Sequence, residues 1–141
     1  MKCPLVPVDG SADAARALTH ALLDLRDRAD AQLHVINVQP LPIHPWPGKL
    51  VPEDLIDAEL NRAGEQILQA AEAAARAAGI RCTCHVRIGL AAHEIAACAA
   101  EQRCDSIVMG TRGLGRVAGL VLGSVATKVV HLATVPVTLV K

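Results

Sequence analysis

The chain has 141 residues, the size of one domain, so a single folded unit over residues 1–141 is expected. Hydrophobic residues make up 52% and charged residues 20%, which supplies a sizeable core and excludes an intrinsically disordered chain. Fourteen Lys and Arg cancel fourteen Asp and Glu, and Trp46 is the sole aromatic of the Phe, Tyr and Trp set; neither a field for a polyanion nor a stacking platform for bases exists, so nucleic acid is not an expected partner.

Residues 3–8, Cys-Pro-Leu-Val-Pro-Val, form a short apolar run closed by Asp9-Gly10-Ser11, the pattern of a buried strand, a turn and a helix N-cap. The same stretch meets proline and Asp9 before any apolar signal region can develop, which predicts a cytoplasmic chain whose five cysteines stay reduced. From Ala12 to about Ala29, Ala14, Leu18, Ala21, Leu22 and Leu25 recur at helical spacing. Leu33 to Val38 is a β-rich run. After it, residues 40–52 carry five prolines around Trp46 and predict a long loop, placed to act as a lid or to be an ordinary connection.

Pro52-Glu53-Asp54 opens a helix of about 25 residues, with Leu60, Ala63, Ile67, Ala71, Ala74 and Ala78 on one face and Gly79 as its stop. Cys82, Cys84 and Val86 then alternate as in a strand, and Gly89 ends it. His93 to Gln102 reads as a helix, Ser106 to Met109 as a strand, Ser124 to about Ala133 as a helix capped by Ser124, and Val135 to Val140 as a last strand. The apolar stretch from Val129 to Val140 is broken by His131, Thr134, Pro136 and Thr138 and falls short of the ~18 residues of a membrane span, so no membrane partner is expected.

Strands alternating with helices at this spacing predict an α/β fold: a doubly wound, five-stranded parallel sheet with helices on both faces. Ligands of such sheets sit beyond the carboxyl ends of the strands, where the strand order reverses. Between the fourth strand and the last helix, Gly110-Thr111-Arg112-Gly113-Leu114-Gly115-Arg116 and Gly123-Ser124 let backbone N–H groups approach an anion, and the first turn of the helix adds its dipole. Beyond Asp105 the chain has no acidic residue, while Arg112, Arg116, Lys128 and Lys141 give residues 106–141 a charge of +4, a bias that chance also produces in so short a segment. Arg116-Val117 stands where a P-loop has Lys-Ser/Thr, and the third glycine of the dinucleotide fingerprint is absent.

With Gly110-x2-Gly113-x9-Gly123-Ser124 in its loop, Leu5-Val6-Pro7-Val8-Asp9-Gly10-Ser11 at its start and Val135-Pro136-Val137 at its end, the sequence resembles the universal stress protein family over essentially its whole length. That resemblance implies a Rossmann-like, adenine nucleotide alpha hydrolase-like fold and an ATP site, with Mg²⁺ able to accompany the nucleotide. It implies that Pro7, Asp9 and Val35 surround adenine and ribose, that Gly110, Thr111, Arg112, Gly113, Leu114, Gly115 and Arg116 wrap ribose and phosphates, and that Gly123, Ser124, Val125 and Ala126 meet phosphate. Gly115 stands where some relatives carry a hydroxyl residue. A homodimer through residues 135–140 is also implied, and Pro136 suits an edge strand.

Other sites read less well. Cys82-x-Cys84-His85 places two sulfurs on one face of a strand and the imidazole on the other, without a second Cys or His pair at zinc-site spacing, so structural thiols and no metal are expected. His20 and His93 are expected at the surface, His34 in the core or at an edge, and His131 near the dimer side. No nucleophile has a visible base beside it, and Asp9 is the sole candidate to position a metal or water, so no catalytic residues are assigned and at most slow ATP hydrolysis is expected. The expected function is an ATP-binding regulator in the stress response; the alternatives are a dimeric interaction module that binds no nucleotide and a weak ATPase.

Overall fold

A computed structural model describes residues 1–42, 52–113 and 122–141. Nine elements follow in strict alternation: β1 (Pro4–Pro7), α1 (Ala12–Leu25), β2 (Gln32–Gln39), α2 (Glu53–Ala77), β3 (Arg81–Ile88), α3 (Ala91–Glu101), β4 (Ser106–Gly110), α4 (Ser124–Leu132) and β5 (Val137–Val140). The strands form one sheet in the order β3-β2-β1-β4-β5, and every pairing is parallel. The chain winds outward from β1 to β3, then returns to build β4 and β5 on the other side of β1. The strand order therefore reverses between β1 and β4.

Period-two alternation divides the core between the two faces of the sheet. Val6, Leu33, Val35 and Val108 pack with Leu18, Ala21 and Leu25 of α1 and Leu68, Ala71 and Ala75 of α2. Their neighbours Leu5, Ile36, Ile107 and Met109 face the other way and pack with Ile95, Cys98 and Ala99 of α3 and Ala126 and Val129 of α4. Leu5, Val6, Leu33, Val35, Ile36, Ile107 and Val108 of the strands are completely buried. Burying a side chain of this kind contributes about 1.5–3 kcal/mol, and a one-residue slip of register would reverse the whole pattern.

Several element boundaries differ from the sequence expectation, each for a local reason. Helix α1 stops at Leu25, the last residue of its apolar stripe, because residues 26–30 are all exposed and have nothing to bury; two tight turns, Arg28 N to Leu25 O and Ala31 N to Arg28 O, lead into β2 instead. The buried face of α2 runs through Gly64, Leu68, Ala71 and Ala75, so Ala63, Ile67 and Ala74 flank it and Ala78 is exposed. At Gly64 the helix presses on the sheet: a Cβ there would lie 2.6 Å from Val86 Cγ1 and 3.1 Å from Asn37 Oδ1. Strand β5 begins at Val137, after Pro136, whose carbonyl accepts from Ile107 N at 2.9 Å.

Candidate functional site

The carboxyl ends of β1 and β4 are shaped by polar contacts that the local sequence dictates. After β1, Asp9 Oδ1 accepts from Ser11 N at 2.9 Å, Gly10 takes φ +86°, and Ser11 Oγ accepts from Ala14 N at 3.2 Å to cap α1. Buried Asn37 donates its Nδ2 to Val8 O at 2.8 Å, and Val8 N donates to Ile36 O at 2.9 Å, so the end of β1 is held from β2. After β4, Thr111 O accepts from Gly123 N at 2.6 Å and closes the base of the glycine loop.

The three glycines of the motif do different things. A Cβ on Gly110 would sit 2.8–3.0 Å from the backbone and Cβ of Asp13, so this glycine lets α1 lie directly on β4. A Cβ on Gly113 would meet Asp9 Oδ2 at 2.6 Å, and one on Gly123 would meet Thr111 O at 3.2 Å. Gly110 therefore serves packing. Gly113 and Gly123 keep the loop base narrow enough for Asp9 and the start of α4 to face the same space.

That space is a cavity of about 280 Å³ at the β1/β4 switch. Its apolar part comes from Ile36, Val38, Ala91, Ile95 and Met109, and its polar part from Asp9, Ser11, Thr111, Arg112 and Ser124. Helix α4 starts beside it with Gly123 as N-cap and no side-chain cap bond, so its first N–H groups have no intrahelical partner. Ser124 is thus the first residue of the helix and not its cap; its side chain is exposed. Arg112 Nε is buried with no hydrogen-bond partner among the described residues, a donor left in want of an acceptor.

Ten of the expected site residues line this cavity: Pro7, Asp9, Gly110, Thr111, Arg112, Gly113, Gly123, Ser124, Val125 and Ala126. The side chain of Val35 does not; it is fully buried in the α1/α2 core, and its neighbour Ile36, on the opposite face, lines the cavity. The resemblance assigns Val35 backbone groups to the base, and burial of its side chain does not bear on them. Leu114, Gly115 and Arg116, and the loop residues 43–51 considered as a lid, lie outside the described residues. The apolar wall contributed by Val38, Ala91, Ile95 and Met109 was missed. Strand alternation counted from Ile36 would have found Val38, whereas nothing in the sequence says that α3 folds over this end.

Asp9 is the only carboxylate lining the cavity, and no histidine lines it, among the described residues. Among the described residues the lining therefore suits a ligand with an anionic end and a flat apolar end.

The cysteines and histidines gather elsewhere. Cys82 and Cys84 lie on one side of β3 with their sulfurs 4.0 Å apart, and burial, reinforced by Cys84 and Glu72, pushes the Cys82 thiol up to about 12. His85, on the other side, stacks on His34, with ring centroids 5.2 Å apart and His34 Nδ1 2.9 Å from His85 Nε2. Burial holds both imidazoles below their ordinary value, and His34 and Arg87 lower His85 further. His20, His93 and His131 are exposed.

Comparison with known proteins gives a consistent picture. The family model described as "Universal stress protein family" matches residues 4–141. The chain is similar to universal stress protein YxiE of Bacillus subtilis, 33% identical with 97% of each chain covered. Its fold is similar to that of universal stress protein UspA from Lactobacillus plantarum, with a TM-score of 0.80, 27% identity and coverage of 99% of this chain and 97% of that one. It is also similar to the universal stress protein from Archaeoglobus fulgidus in complex with dAMP, with a TM-score of 0.66, 27% identity and coverage of 100% and 98%.

Proposed function

Since the chain belongs to the universal stress protein family, we propose that it binds ATP at the β1/β4 switch and acts as a nucleotide-dependent regulator in the stress response, in the cytoplasm. The observation that carries the reading is the first turn of α4, which has no side-chain cap among the described residues, beside Arg112 Nε, which has no hydrogen-bond partner among them, because both are donors that an anion satisfies. The residues fit an adenine nucleotide. Ile36, Val38 and Met109 offer a wall for the base, Asp9 Oδ2 can accept from a ribose hydroxyl, and Arg112, Ser124 and the N–H groups of Val125 and Ala126 converge on phosphate. The dAMP complex of the Archaeoglobus fulgidus relative supports the ligand class. Asp9 and Ser124 are the groups that would meet a Mg²⁺ ion carried in by the nucleotide, where the ion would neutralise phosphate charge.

A homodimer through β5 belongs to the same reading. Strand β5 is an edge of the sheet, and Val130 and Leu132 of the adjacent α4 are 49% and 39% exposed, large apolar side chains for a monomer to leave in water. The paired substitution Val130→Glu and Leu132→Glu is expected to give a monomer by sedimentation; an unchanged mass would remove this surface from the interface.

The deciding experiment is titration of nucleotide-stripped protein with Mg-ATP, read by calorimetry and by thermal shift, with Trp46 fluorescence as a third readout. Saturable heat with a raised melting temperature is expected, about 2.7 kcal/mol of stabilisation at a hundredfold excess over Kd. No response at millimolar ATP would overturn the nucleotide reading in favour of an interaction module. Metal-dependent phosphate release that vanishes in Asp9→Ala would instead turn the binder into an ATPase.

A further inference from the structure

At the opposite end of the sheet, three soft donors from distant parts of the sequence meet. One ligand atom each from Cys3, His34 and Cys104 lies within 4.8 Å of the other two, and His34 and Cys104 are each only 4% exposed. The convergence is built by the backbone. Asp105 N donates to Cys3 O at 2.9 Å while Cys3 N donates to Asp105 Oδ2 at 3.0 Å, which fastens the start of β1 beside the start of β4 and brings the two thiols into hydrogen-bond contact. His34 enters from β2, whose register sets it beside Leu5.

We propose that Cys3, His34 and Cys104 form a zinc site, with His85 as the outer partner of the His34 ring. The chemistry of the donors selects the ion: two thiolates and an imidazole are the ligand types of tetrahedral Zn²⁺, with solvent in the fourth position. Charge selects it again. Binding releases two thiol protons to solvent, and two thiolates with one divalent ion make a neutral centre, which a buried site tolerates; a monovalent copper ion on the same ligands would leave a buried negative charge. A tetrahedral zinc with Zn–S of about 2.3 Å holds its sulfurs about 3.8 Å apart, so the two observed sulfurs need to close by about 1 Å at most.

In this site Nε2 of His34 takes the ion, because its Nδ1 is engaged with His85 Nε2 at 2.9 Å. Zinc-bound histidines use their second nitrogen in this way, and loss of such an outer partner weakens metal binding about 10- to 100-fold.

The test uses the full chain, reduced and freed of metal, titrated with zinc chloride against a chromophoric chelator, and separately with cobalt(II). One zinc per chain is expected, and with cobalt a thiolate charge-transfer band together with the intense visible bands of tetrahedral coordination. Cys3→Ser and His34→Gln are expected to weaken zinc binding by more than about 100-fold and His85→Gln by about 10- to 100-fold, while Cys82→Ala with Cys84→Ala leaves it unchanged. No stoichiometric zinc, a six-coordinate cobalt spectrum without thiolate bands, or zinc retained equally by Cys3→Ser and His34→Gln would each overturn the site. The cobalt spectrum needs no substitution, so it decides the matter even where a variant fails to fold. Six residues of extended chain separate Cys3 from Asp9, about 20 Å, so the ATP thermal shift of the Cys3→Ser protein reports on the other end independently.

Discussion

The two ends of the sheet are built on opposite principles. The carboxyl end offers the proposed ligand largely main-chain atoms, the first N–H groups of α4 and a loop base drawn tight by Gly113 and Gly123, so the specificity proposed for it depends on where side chains are absent. The amino end does the reverse: the chemistry proposed for it lies entirely in the side chains of Cys3, His34 and Cys104, with Cys3 tied to the start of β4 by the Asp105 carboxylate and His34 set by the β1/β2 register. Backbone sites announce themselves as local spacing, since the glycines and the helix start must be neighbours in the chain. Side-chain sites assembled by tertiary pairing do not.

The strongest way to break the contrast is to put a side chain where the backbone approach needs none. Gly110→Ala forces a methyl group to within 3 Å of Asp13 and should destabilise the protein by about 1–3 kcal/mol, a drop in Tm of roughly 3–5 °C per kcal/mol at this size. Thermal unfolding without ligand reads this directly; an unchanged Tm would mean that α1 does not lie on β4 as described.

Arg112→Ala separates binding from folding. It removes the side chain whose buried Nε has no partner among the described residues, so ATP affinity should fall about 10- to 100-fold, the range of a charge-assisted hydrogen bond, while the ligand-free Tm stays level or rises. A large loss of stability without ligand would assign Arg112 to the scaffold.

Acid should act first on the amino end. His34 and His85 have folded-state values below that of the free imidazole, so the unfolded chain binds protons that the folded one refuses. Their contribution is intact above about pH 6.5 and is lost as pH falls from there towards the lowered folded values. Chemical denaturation at pH 7.5 and pH 5.5 should show the decline, and His34→Gln should flatten it. The smallest effect belongs to Ser124→Ala. Because Ser124 is exposed and begins the helix without capping it, only its own contact to phosphate is lost, about 0.5–1.5 kcal/mol or 2- to 12-fold in ATP affinity by calorimetry.

The same division explains what was legible in the chain before its structure. Element order and the parallel sheet follow from apolar runs alternating with helical stripes, and the site loop from glycine spacing around Gly110, Gly113 and Gly123. The side chain of Val35 belongs to the core and that of Ile36 to the cavity, because one residue of strand phase decides the face and the run from Leu33 to Ile36 is apolar on both. Serine favours the cap position, which is why the sequence points to Ser124, yet Gly123 occupies it with its N–H bonded to Thr111 O. Cys3, His34 and Cys104 are separated by 31 and 70 positions, and no local pattern joins them.

Gly64 turns a familiar rule of protein engineering upside down. Replacing a glycine by alanine in a long helix ordinarily adds about 1 kcal/mol of helix propensity and counts among the safest routes to a hardier protein. Here the added methyl group would strike Val86 and press on Asn37, the side chain that holds the Val8 carbonyl at the rim of the cavity. A thermostabilisation campaign guided by helix propensity alone would therefore spoil the ligand end from the far side of the sheet, and residue 64 belongs among the positions to be left untouched.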